Sequence, residues 1–365
     1  MRFFKRYKEI IIYDGEKNNF NNIYFNELLS LKDNKKDRKN NIKNIKEKQT
    51  LIKKIIYLNN NNIILLIILL FLIIILIYST FNNKQNLRKN IINLKICLCA
   101  IGKNENLYIK EFVEHYKKLG YNRIFLYDNN DIDDERFEDK IKMEIDKGFV
   151  KIINYRGYKG KLKNPQLEAY KDCYERNNKY FNWLSFFDID EYLEFNPQYL
   201  KAQHFFSKSI FNFCKIIHFN WLFYINVNNS LYYENKPLKK RMTKPLFDLK
   251  INRHIKSTVR GNLSHNYWKY ANNPHTSINN FTTCSSSGKI INSSSPYNLP
   301  LEFKLGYLKH YQLKSFEEYC LKIKRGRPII GYKEYRENMI NSLLNSNKNN
   351  TEKLNIIRKV FNISI

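Results

Sequence analysis

The sequence predicts an α/β fold, a mostly parallel Rossmann-like sheet with flanking helices, behind one N-terminal membrane-spanning helix. Short apolar strands alternate with amphipathic helices over residues 94–187, which is the pattern of a parallel sheet. An uncharged apolar run occupies 63–81, close to the ~20 residues needed to cross a bilayer. Three carboxylates, Asp188, Asp190 and Glu191, follow the fourth strand.

The composition limits the kinds of partner. Lysine and arginine number 63 against 34 aspartates and glutamates, for a formal net charge of +29, and such a charge can indicate nucleic acid or an anionic membrane. However, lysine, asparagine and isoleucine are abundant along the whole chain, and no nucleic-acid-binding motif accompanies them. We therefore expect no nucleic-acid partner.

The cysteines all lie after the apolar run and include no C-x-x-C pair, so a zinc cluster is not expected. They are Cys97, Cys99, Cys173, Cys214, Cys284 and Cys320. Two alternatives stay open for them, namely disulfide pairing in an oxidising lumen or buried free thiols.

Polarity divides the chain into five predicted parts. They are a polar, basic, largely disordered cytoplasmic tail (1–61), a transmembrane helix (62–81), a stem (82–93), the main α/β domain (94–335) and a polar C-terminal tail (336–365). The apolar run has no polar face, unlike a core helix, and it lies too far from the start for a cleavable signal peptide. The basic tail before it favours a single-pass type II topology. We expect a Golgi or other secretory-pathway membrane with the main domain in the lumen.

Periodicity and helix-ending residues place the individual elements. Strands are predicted at Lys95–Ile101, Arg123–Tyr127, Phe149–Ile153 and Trp183–Phe187, and helices at 104–119, 137–145 and 165–180. Gly120 and Gly148 suit helix ends, and Pro165 suits a helix start. Beyond residue 195 the predicted elements are strands at Lys215–Leu222 and Tyr307–Tyr311, a helix at 315–325, and a loop-rich segment over 226–300.

Polar clusters follow three of the predicted strands. Ligands bind beyond the carboxyl ends of the strands in open parallel sheets, so Lys103-Asn104-Glu105, Asp128-Asn129-Asn130 and the segment 188–191 converge on one edge. Asp188 and Asp190 are two residues apart, and an extended backbone points such side chains the same way. They offer hard oxygen ligands for Mg²⁺ or Mn²⁺, although a solvated turn would show the same pattern. The sequence has no dinucleotide or P-loop motif, so a metal is expected to carry most of a bound phosphate's charge.

Short sequence blocks keep a specific order and spacing over residues 95–330. They are Ala100–Glu105, Tyr108–Gly120, Tyr127–Asn130, Pro165–Tyr170, Trp183 with Asp188–Glu191, Lys256–Arg260, Asn273–His275, His310–Ser315 and Glu317–Gly326. In this order they resemble the GT-A glycosyltransferases, and within them the family 92 type and its family 2-like relatives. Gly261, where relatives tend to have proline, and the serine-rich stretch 285–295 depart from that pattern.

The resemblance implies transfer of a sugar from a nucleotide sugar to a glycan or glycoprotein acceptor, with a UDP-sugar and galactose suggested. It implies that Asp188 and Asp190 form a D-x-D pair that binds Mn²⁺ (or Mg²⁺) on the diphosphate, and that His310 completes the metal ligands. The chemistry agrees, because the leaving nucleoside diphosphate gains negative charge that a divalent ion stabilises.

The resemblance also implies a nucleotide site and leaves the catalytic base open. The expected nucleotide contacts are Lys103, Asn104, Asp128, Gln166 and Asp188. An inverting enzyme needs a carboxylate base, for which Glu191 and Asp248 are both candidates, whereas a retaining enzyme can lack one. His275 fits either an acceptor-side role or an ordinary loop histidine. Arg325 and Arg327 fit either phosphate contacts or a solvated basic helix end.

Two other functions are compatible with a pair of acids. A glycoside hydrolase is disfavoured, because its two carboxylates flank the scissile bond at roughly 5–9.5 Å and usually come from different elements. A catalytically inactive, membrane-anchored glycan-binding protein on a GT-A scaffold is disfavoured by the intact acidic motif, but the fold alone does not decide between binding and catalysis.

Overall fold

The chain divides into two compact units, Met1–Gln85 and Asn86–Ile365. This computed structural model describes residues 70–80, 94–157, 164–226, 230–276, 281–291, 295–312, 314–326 and 332–363. In the first unit, residues 70–80 form a helix with exposed side chains. The rest of the predicted tail, membrane span and stem lies outside the described residues. Across the described ranges, no helix has both the length and the apolar character needed to cross a bilayer.

The second unit is organised around four parallel strands. They are β1 (Ile96–Gly102), β2 (Arg123–Asp128), β3 (Val150–Asn154) and β4 (Trp183–Phe186). Their spatial order is β3-β2-β1-β4, and each neighbouring pair is parallel. The predicted α/β alternation is therefore confirmed here, and the carboxyl ends of all four strands lie at one edge of the sheet.

The helices between these strands begin and end near residues that favour helix boundaries. They are α1 (Ile109–Leu119), α2 (Glu138–Asp146) and α3 (Pro165–Asn177). Gly120 ends α1 with a φ of 92°, a left-handed conformation that glycine adopts readily. Asn164 caps α3 with its side chain, and Pro165 occupies the first turn. α1 starts later than the predicted residue 104, because the chain turns at Asn104, whose φ is 51°.

Further strands extend the sheet and make it mixed. They are β5 (Glu191–Phe195), β6 (Ile216–Ile225), β7 (Lys244–Leu246), β8 (Ile255–Arg260), β9 (Thr283–Ser285), β10 (Ile290–Ile291) and β11 (Gly306–His310). β8 lies between β4 and β6 and is antiparallel to both, whereas β6 is parallel to β9 and β11. Short helices α4 (Ala202–Phe206), α5 (Leu238–Arg241) and α6 (Leu249–Asn252) connect these strands. The sheet is thus parallel through its first half and mixed beyond β4.

Strand β8 corrects the expectation of a loop-rich segment over 226–300. It carries Lys256, Ser257 and Thr258 in sequence, and all three residues are 0% exposed. The Thr258 hydroxyl is 2.8 Å from the Ser185 hydroxyl, and the Lys256 ammonium is 2.9 Å from the Asp188 carboxylate. The Ser257 hydroxyl donates to the His275 carbonyl at 2.7 Å. Because each of these polar groups has a partner, a polar sequence can occupy the centre of the sheet.

Most of the segment expected as a polar tail, 336–365, is helical and packed. Three helices, α7 (Phe316–Arg325), α8 (Tyr332–Ser346) and α9 (Thr351–Phe361), share an apolar cluster. Its buried members are Cys320, Ile323, Leu343, Ile356, Ile357 and Val360. In α9 the apolar residues fall at helical spacing on one stripe, which is enough to hold an otherwise polar helix against the domain. The folded unit therefore continues past residue 335.

The cysteines follow both of the alternatives that the sequence left open. Disulfides join Cys99 on β1 to Cys173 on α3, and Cys214 to Cys284 on β9. Cys97 and Cys320 are buried free thiols.

Candidate active site

A cavity of about 780 Å³ lies at the carboxyl ends of β1 and β4, at the edge where ligands of such sheets bind. Small-molecule sites usually measure roughly 300–1,000 Å³. Its wall includes Asp188 and Asp190 from the loop after β4, together with residues from α3, β8, β11, α7 and α8. Ile189, between the aspartates, packs so closely on Gly102 that a Cβ there would overlap it. Glycine at the end of β1 therefore lets this loop approach the sheet.

Asp188 directs one carboxylate oxygen at three protein partners. Oδ1 accepts hydrogen bonds from Gln166 Nε2 at 2.5 Å and from the Tyr170 hydroxyl at 3.2 Å, and it lies 2.9 Å from Lys256 Nζ. Oδ2 has no hydrogen-bond partner among the described residues, and the side chain is 33% exposed. Burial raises the pKa of Asp188, but the Lys256 ammonium and its hydrogen bond bring it below the ordinary value. The carboxylate is therefore ionised, and its Oδ2 atom is available to a ligand.

Asp190 is more deeply buried and engages both oxygens. Oδ1 is 3.5 Å from His310 Nε2, while Oδ2 is 2.9 Å from Lys322 Nζ and 3.9 Å from Lys314 Nζ. Burial opposes ionisation, yet the Lys322 and Lys314 ammonium groups and the hydrogen bond from His310 together hold the pKa of Asp190 well below its usual range. Burial lowers the pKa of His310, so its ring is neutral, the form that binds a metal. Of the residues predicted as metal ligands, Asp190 and His310 thus lie side by side, and Asp188 lines the same cavity.

Glu191 is placed to close the turn and not to face the cavity. It is 0% exposed, its Oε2 accepts a hydrogen bond from the Asp188 amide at 2.9 Å, and the same oxygen is 3.8 Å from Lys256 Nζ. Burial raises the pKa of Glu191 well above its ordinary value, and the two neighbouring aspartates raise it further. A buried neutral acid fixed in a turn is not placed to deprotonate an acceptor, so this position argues against the predicted role as base.

Asp248, the other residue predicted as a base, lies outside the cavity wall. Its carboxylate caps the short helix α6 by accepting hydrogen bonds from the amides of Lys250 and Ile251. Aspartate before a short helical segment is a standard capping signal, which explains the residue without any catalytic role.

The predicted nucleotide contacts divide into two groups. Gln166 and Lys103 line the cavity, the latter with Nζ 2.8 Å from Asp131. Asp128 and Asn104 do not. Asp128 is 1% exposed and pairs with Arg156 at 2.9 Å. The Asn104 side chain donates a hydrogen bond to the Asp134 carboxylate at 2.6 Å. The last two residues therefore shape the loops behind the wall.

The basic helix end also reaches the cavity. Arg325 lines it, bonds to the Lys103 carbonyl at 2.9 Å and pairs with Glu105. Arg327 lies outside the described residues.

Three site residues were missed as such from the sequence. Lys256 is fully buried between Asp188 and Glu191, and a lysine inside an apolar-flanked strand is a usable signal, because buried lysine needs a carboxylate. Lys322 is three residues before Arg325 on the same helix face, so a basic stripe was visible. Trp221 lines the cavity with its ring 4.2 Å from that of His310, which no local pattern reveals.

The sequence matches the model of glycosyltransferase family 92 over residues 92–361. The chain belongs to glycosyltransferase family 92. This match confirms the predicted resemblance and the predicted enzyme class, that of the glycosyltransferases. The family match also includes α8 and all of α9, in agreement with the packed C-terminal helices.

Two similar family 92 proteins come from plants. One from Arabidopsis thaliana is 26% identical over 119 residues, which are 33% of this chain and 20% of that protein. Another, from Ricinus communis, is 29% identical over 98 residues, 27% of this chain and 17% of that protein. The family 92 chain thus spans a fifth or less of the length of these relatives.

Among solved structures, this family 92 chain is similar to S. aureus TarS. Residues 1–349 of TarS match with a TM-score of 0.28 and 15% identity, over 46% of this chain and 47% of that one. The same TarS segment in complex with UDP matches with a TM-score of 0.27 and 13% identity, over the same shares. The family assignment rests on the sequence match.

Proposed function

We propose that this family 92 chain is a membrane-anchored, divalent-metal-dependent hexosyltransferase with a GT-A architecture. It transfers a sugar, galactose by the resemblance, from a UDP-sugar to a glycan or glycoprotein acceptor. The observation that carries the proposal is the pair of ionised aspartates, Asp188 and Asp190, at the carboxyl edge of the parallel strands in a cavity that also holds the cations of Lys322 and Arg325. Opposite charges side by side suit a metal and a diphosphate together.

The donor atoms fit a divalent ion that a bound diphosphate helps to hold. Asp190 Oδ1 and His310 Nε2 are 3.5 Å apart, and Asp188 Oδ2 has no partner among the described residues. Carboxylate and neutral imidazole suit Mn²⁺ or Mg²⁺. In the described ranges, no three His, Cys, Asp or Glu side chains are grouped so as to hold an ion by themselves. Phosphate oxygens would supply the missing ligands, as is usual for Mg²⁺ on nucleotides.

The chain's own residues would divide the work around the diphosphate. The bound ion would stabilise the negative charge that develops on the leaving group. Lys322 is 24% exposed, so its ammonium can turn from Asp190 towards a phosphate. Arg325 adds a second cation with bidentate geometry. Lys256, which is 0% exposed, keeps Asp188 ionised and oriented without reaching the ligand.

The membrane anchor and the compartment belong to the same proposal. An uncharged apolar run at 63–81 supports a single-pass type II anchor, with the enzymatic domain in the lumen of the Golgi or another secretory compartment. Two disulfides in that domain support an oxidising lumen, because disulfides are rare in the cytosol.

Turnover of the full chain in detergent tests this function. A panel of UDP-sugars is supplied with Mn²⁺ or with EDTA, and released UDP is measured. We expect release with one sugar, dependent on Mn²⁺, and loss of release in Asp190→Ala. Asp248→Ala is the matched control, since Asp248 only caps α6. Absence of UDP release and of metal-dependent UDP binding in the unmodified chain would sink the proposal, as would full activity of Asp190→Ala.

A further inference from the structure

Besides His310, two further histidines flank Trp221, and one of these two faces the cavity. The His254 ring stacks on the indole at 4.9 Å with an interplanar angle of 16°. The His275 ring lies 5.3 Å from the indole at 64°. His275 and Trp221 both line the cavity, whereas His254 does not. The two residues share one hydrogen bond, because each directs Nδ1 at a backbone carbonyl at 2.8 Å, that of Ile251 for His254 and that of Ile255 for His275.

The hydrogen bond to Ile255 fixes the tautomer of His275. A carbonyl oxygen only accepts hydrogen bonds, so Nδ1 carries the hydrogen and Nε2 carries the lone pair of the neutral ring. Nε2 has no hydrogen-bond partner among the described residues. Burial and, to a smaller extent, the nearby Lys256 ammonium lower the pKa of His275 to about 3. The ring is therefore neutral at physiological pH, with an acceptor atom left for a ligand.

The backbone around His275 is held on both sides. The Asn273 side-chain oxygen accepts hydrogen bonds from the amides of His275 at 2.9 Å and Thr276 at 3.1 Å. The Ser257 hydroxyl donates to the His275 carbonyl at 2.7 Å. A side chain fixed through its backbone and through Nδ1 is pre-organised, which is what a positioning group needs.

In the neutral tautomer, His275 Nε2 can bond only to a ligand group that donates a hydrogen. Phosphate oxygens of a nucleoside diphosphate are also acceptors, so they cannot bond to His275 Nε2. A hydroxyl group can, because it donates. The adjacent indole of Trp221 supplies an apolar face beside that position. Hydroxyl donor plus apolar ring face is the chemistry of a sugar.

We propose that His275 and Trp221 form the acceptor-sugar subsite, in which His275 Nε2 accepts a hydrogen bond from a hydroxyl group of the acceptor sugar. This inference rests on the proposed glycosyltransfer and names the part of the cavity that the acceptor occupies. His275 acts as a positioning residue that orients the acceptor sugar towards the donor. The inference predicts that the donor end of the cavity, with Asp188, Asp190 and Lys322, keeps its UDP binding when His275 is replaced.

The test compares His275→Phe with His254→Phe in the full chain. Each variant keeps an aromatic ring beside Trp221 and loses one Nδ1–carbonyl hydrogen bond, but only the first removes an acceptor atom from the cavity wall. UDP affinity and the slow release of UDP to water report on the donor end. The stimulation of UDP release by methyl glycosides of common hexoses reports on the acceptor end, and the thermal midpoint reports on folding.

In His275→Phe we expect the glycoside-stimulated rate to fall about ten- to hundredfold, the loss of one well-placed hydrogen bond to substrate. UDP affinity and release to water should stay within about threefold. His254→Phe should leave all three within about threefold. His275→Gln, which can place an amide oxygen near the position of Nε2, should recover part of the rate, and it provides the reading if the phenylalanine variant does not fold.

The results separate this inference from the function on which it rests. An unmodified chain that neither binds UDP nor turns over refutes both. An active chain whose His275 variants keep the full glycoside stimulation refutes the acceptor subsite alone. Loss of UDP affinity in His275→Phe by tenfold or more also overturns it, because the hydroxyl would then belong to the donor.

Discussion

The two aspartates of the cavity are two residues apart, yet their surroundings differ. Asp188 is 33% exposed, and its three partners all meet Oδ1. Asp190 is 7% exposed, with a neutral histidine on one oxygen and a lysine on the other. The lysine on Asp188, Lys256, is 0% exposed, whereas the lysine on Asp190, Lys322, is 24% exposed. The ammonium group of the Asp188–Lys256 pair is fully buried, whereas that of the Asp190–Lys322 pair is partly exposed and can move away from its carboxylate.

The difference assigns separate tasks to two residues that the sequence presents as equivalent. A fully buried ammonium beside Asp188 maintains the charge and direction of its carboxylate in every state of the site. The Lys322 ammonium beside Asp190 is partly exposed, so we expect it to move away when a ligand and its cation bind. We therefore expect Asp190 to carry more of the metal and phosphate binding, and the Lys256 side to carry more of the stability.

Replacing each aspartate by asparagine should have the largest effect, and it tests whether the two residues have different roles. In Asp190→Asn we expect turnover to fall about 10³-fold, because the carboxylate beside His310 is lost where the charge develops. In Asp188→Asn we expect about 10²-fold or less. The smaller loss is expected because the Asp188 charge helps to keep Glu191 neutral. When that charge is removed in Asp188→Asn, Glu191 can ionise and pair with Lys256. Release of UDP at saturating Mn²⁺ measures both, and an equal or reversed order would contradict the division of tasks.

Replacing the two lysines tests the same difference through the free energy of unfolding. Lys256→Met removes the buried partner of Asp188 and Glu191, and breaking such a pair costs about 3–5 kcal/mol. Lys322→Met removes a partly exposed partner, and Lys314 remains near Asp190, so we expect a change within about 1 kcal/mol. Urea unfolding gives both free energies. Similar losses in the two variants would show that the pairs are equivalent after all.

The anchoring of α7 tests the Asp190 side indirectly, because this helix carries Lys322. Glu318 in its first turn makes hydrogen bonds of 2.6 and 2.5 Å with Arg241. Burial alone raises the pKa of Glu318, but Arg241, Tyr108 and Ser315 lower it from 4.5 to about 2. A depressed pKa gives stability that is present above pH 4.5 and lost as the pH falls towards 2, about 3 kcal/mol for this shift.

Glu318→Gln is the matching variant for that pH dependence. We expect it to be less stable than the unmodified chain by about 3 kcal/mol at pH 7. The gap should shrink as the pH falls below 4.5, since protonated Glu318 then resembles glutamine. Unfolding free energies measured from pH 7 to pH 3 report this, and a gap that stays constant would exclude the ionised pair with Arg241 as its origin.

The smallest effect is expected at Glu191. This side chain is buried, and burial keeps its carboxyl group neutral, so Glu191→Gln preserves shape and charge. Turnover should stay within about threefold, and the acid limb of the pH profile should not move. A loss of a hundredfold or more would restore Glu191 as the catalytic base.

The sequence predicts the first half of the fold well because each signal there is local. Gly120, Gly148 and Pro165 mark helix boundaries between short apolar strands, and the structure has its elements there. β8 was missed because Lys256, Ser257 and Thr258 are polar and are buried only through partners distant in sequence. No window of adjacent residues contains that information.

The site shows the same limit. Asp188, Asp190, Gln166 and His310 were predicted and lie in one cavity wall, because strand ends and block order place them. Asp248 was assigned by residue type alone, and its local helix cap explains it better. Trp221 and Lys322 approach the aspartates from β6 and α7, and only the tertiary arrangement brings those elements to the same edge.

Isothermal titration of UDP into the full chain, in Mn²⁺ and in EDTA, tests the central claim most directly. That claim is that the wall formed by Asp188, Asp190 and His310 holds a nucleoside diphosphate through a shared divalent ion. We predict binding at least about tenfold tighter in Mn²⁺, the effect of a shared ion on a charged ligand. The Mn²⁺ advantage should disappear in Asp190→Asn. Equal UDP affinity in Mn²⁺ and EDTA, or no binding in either, would contradict the account.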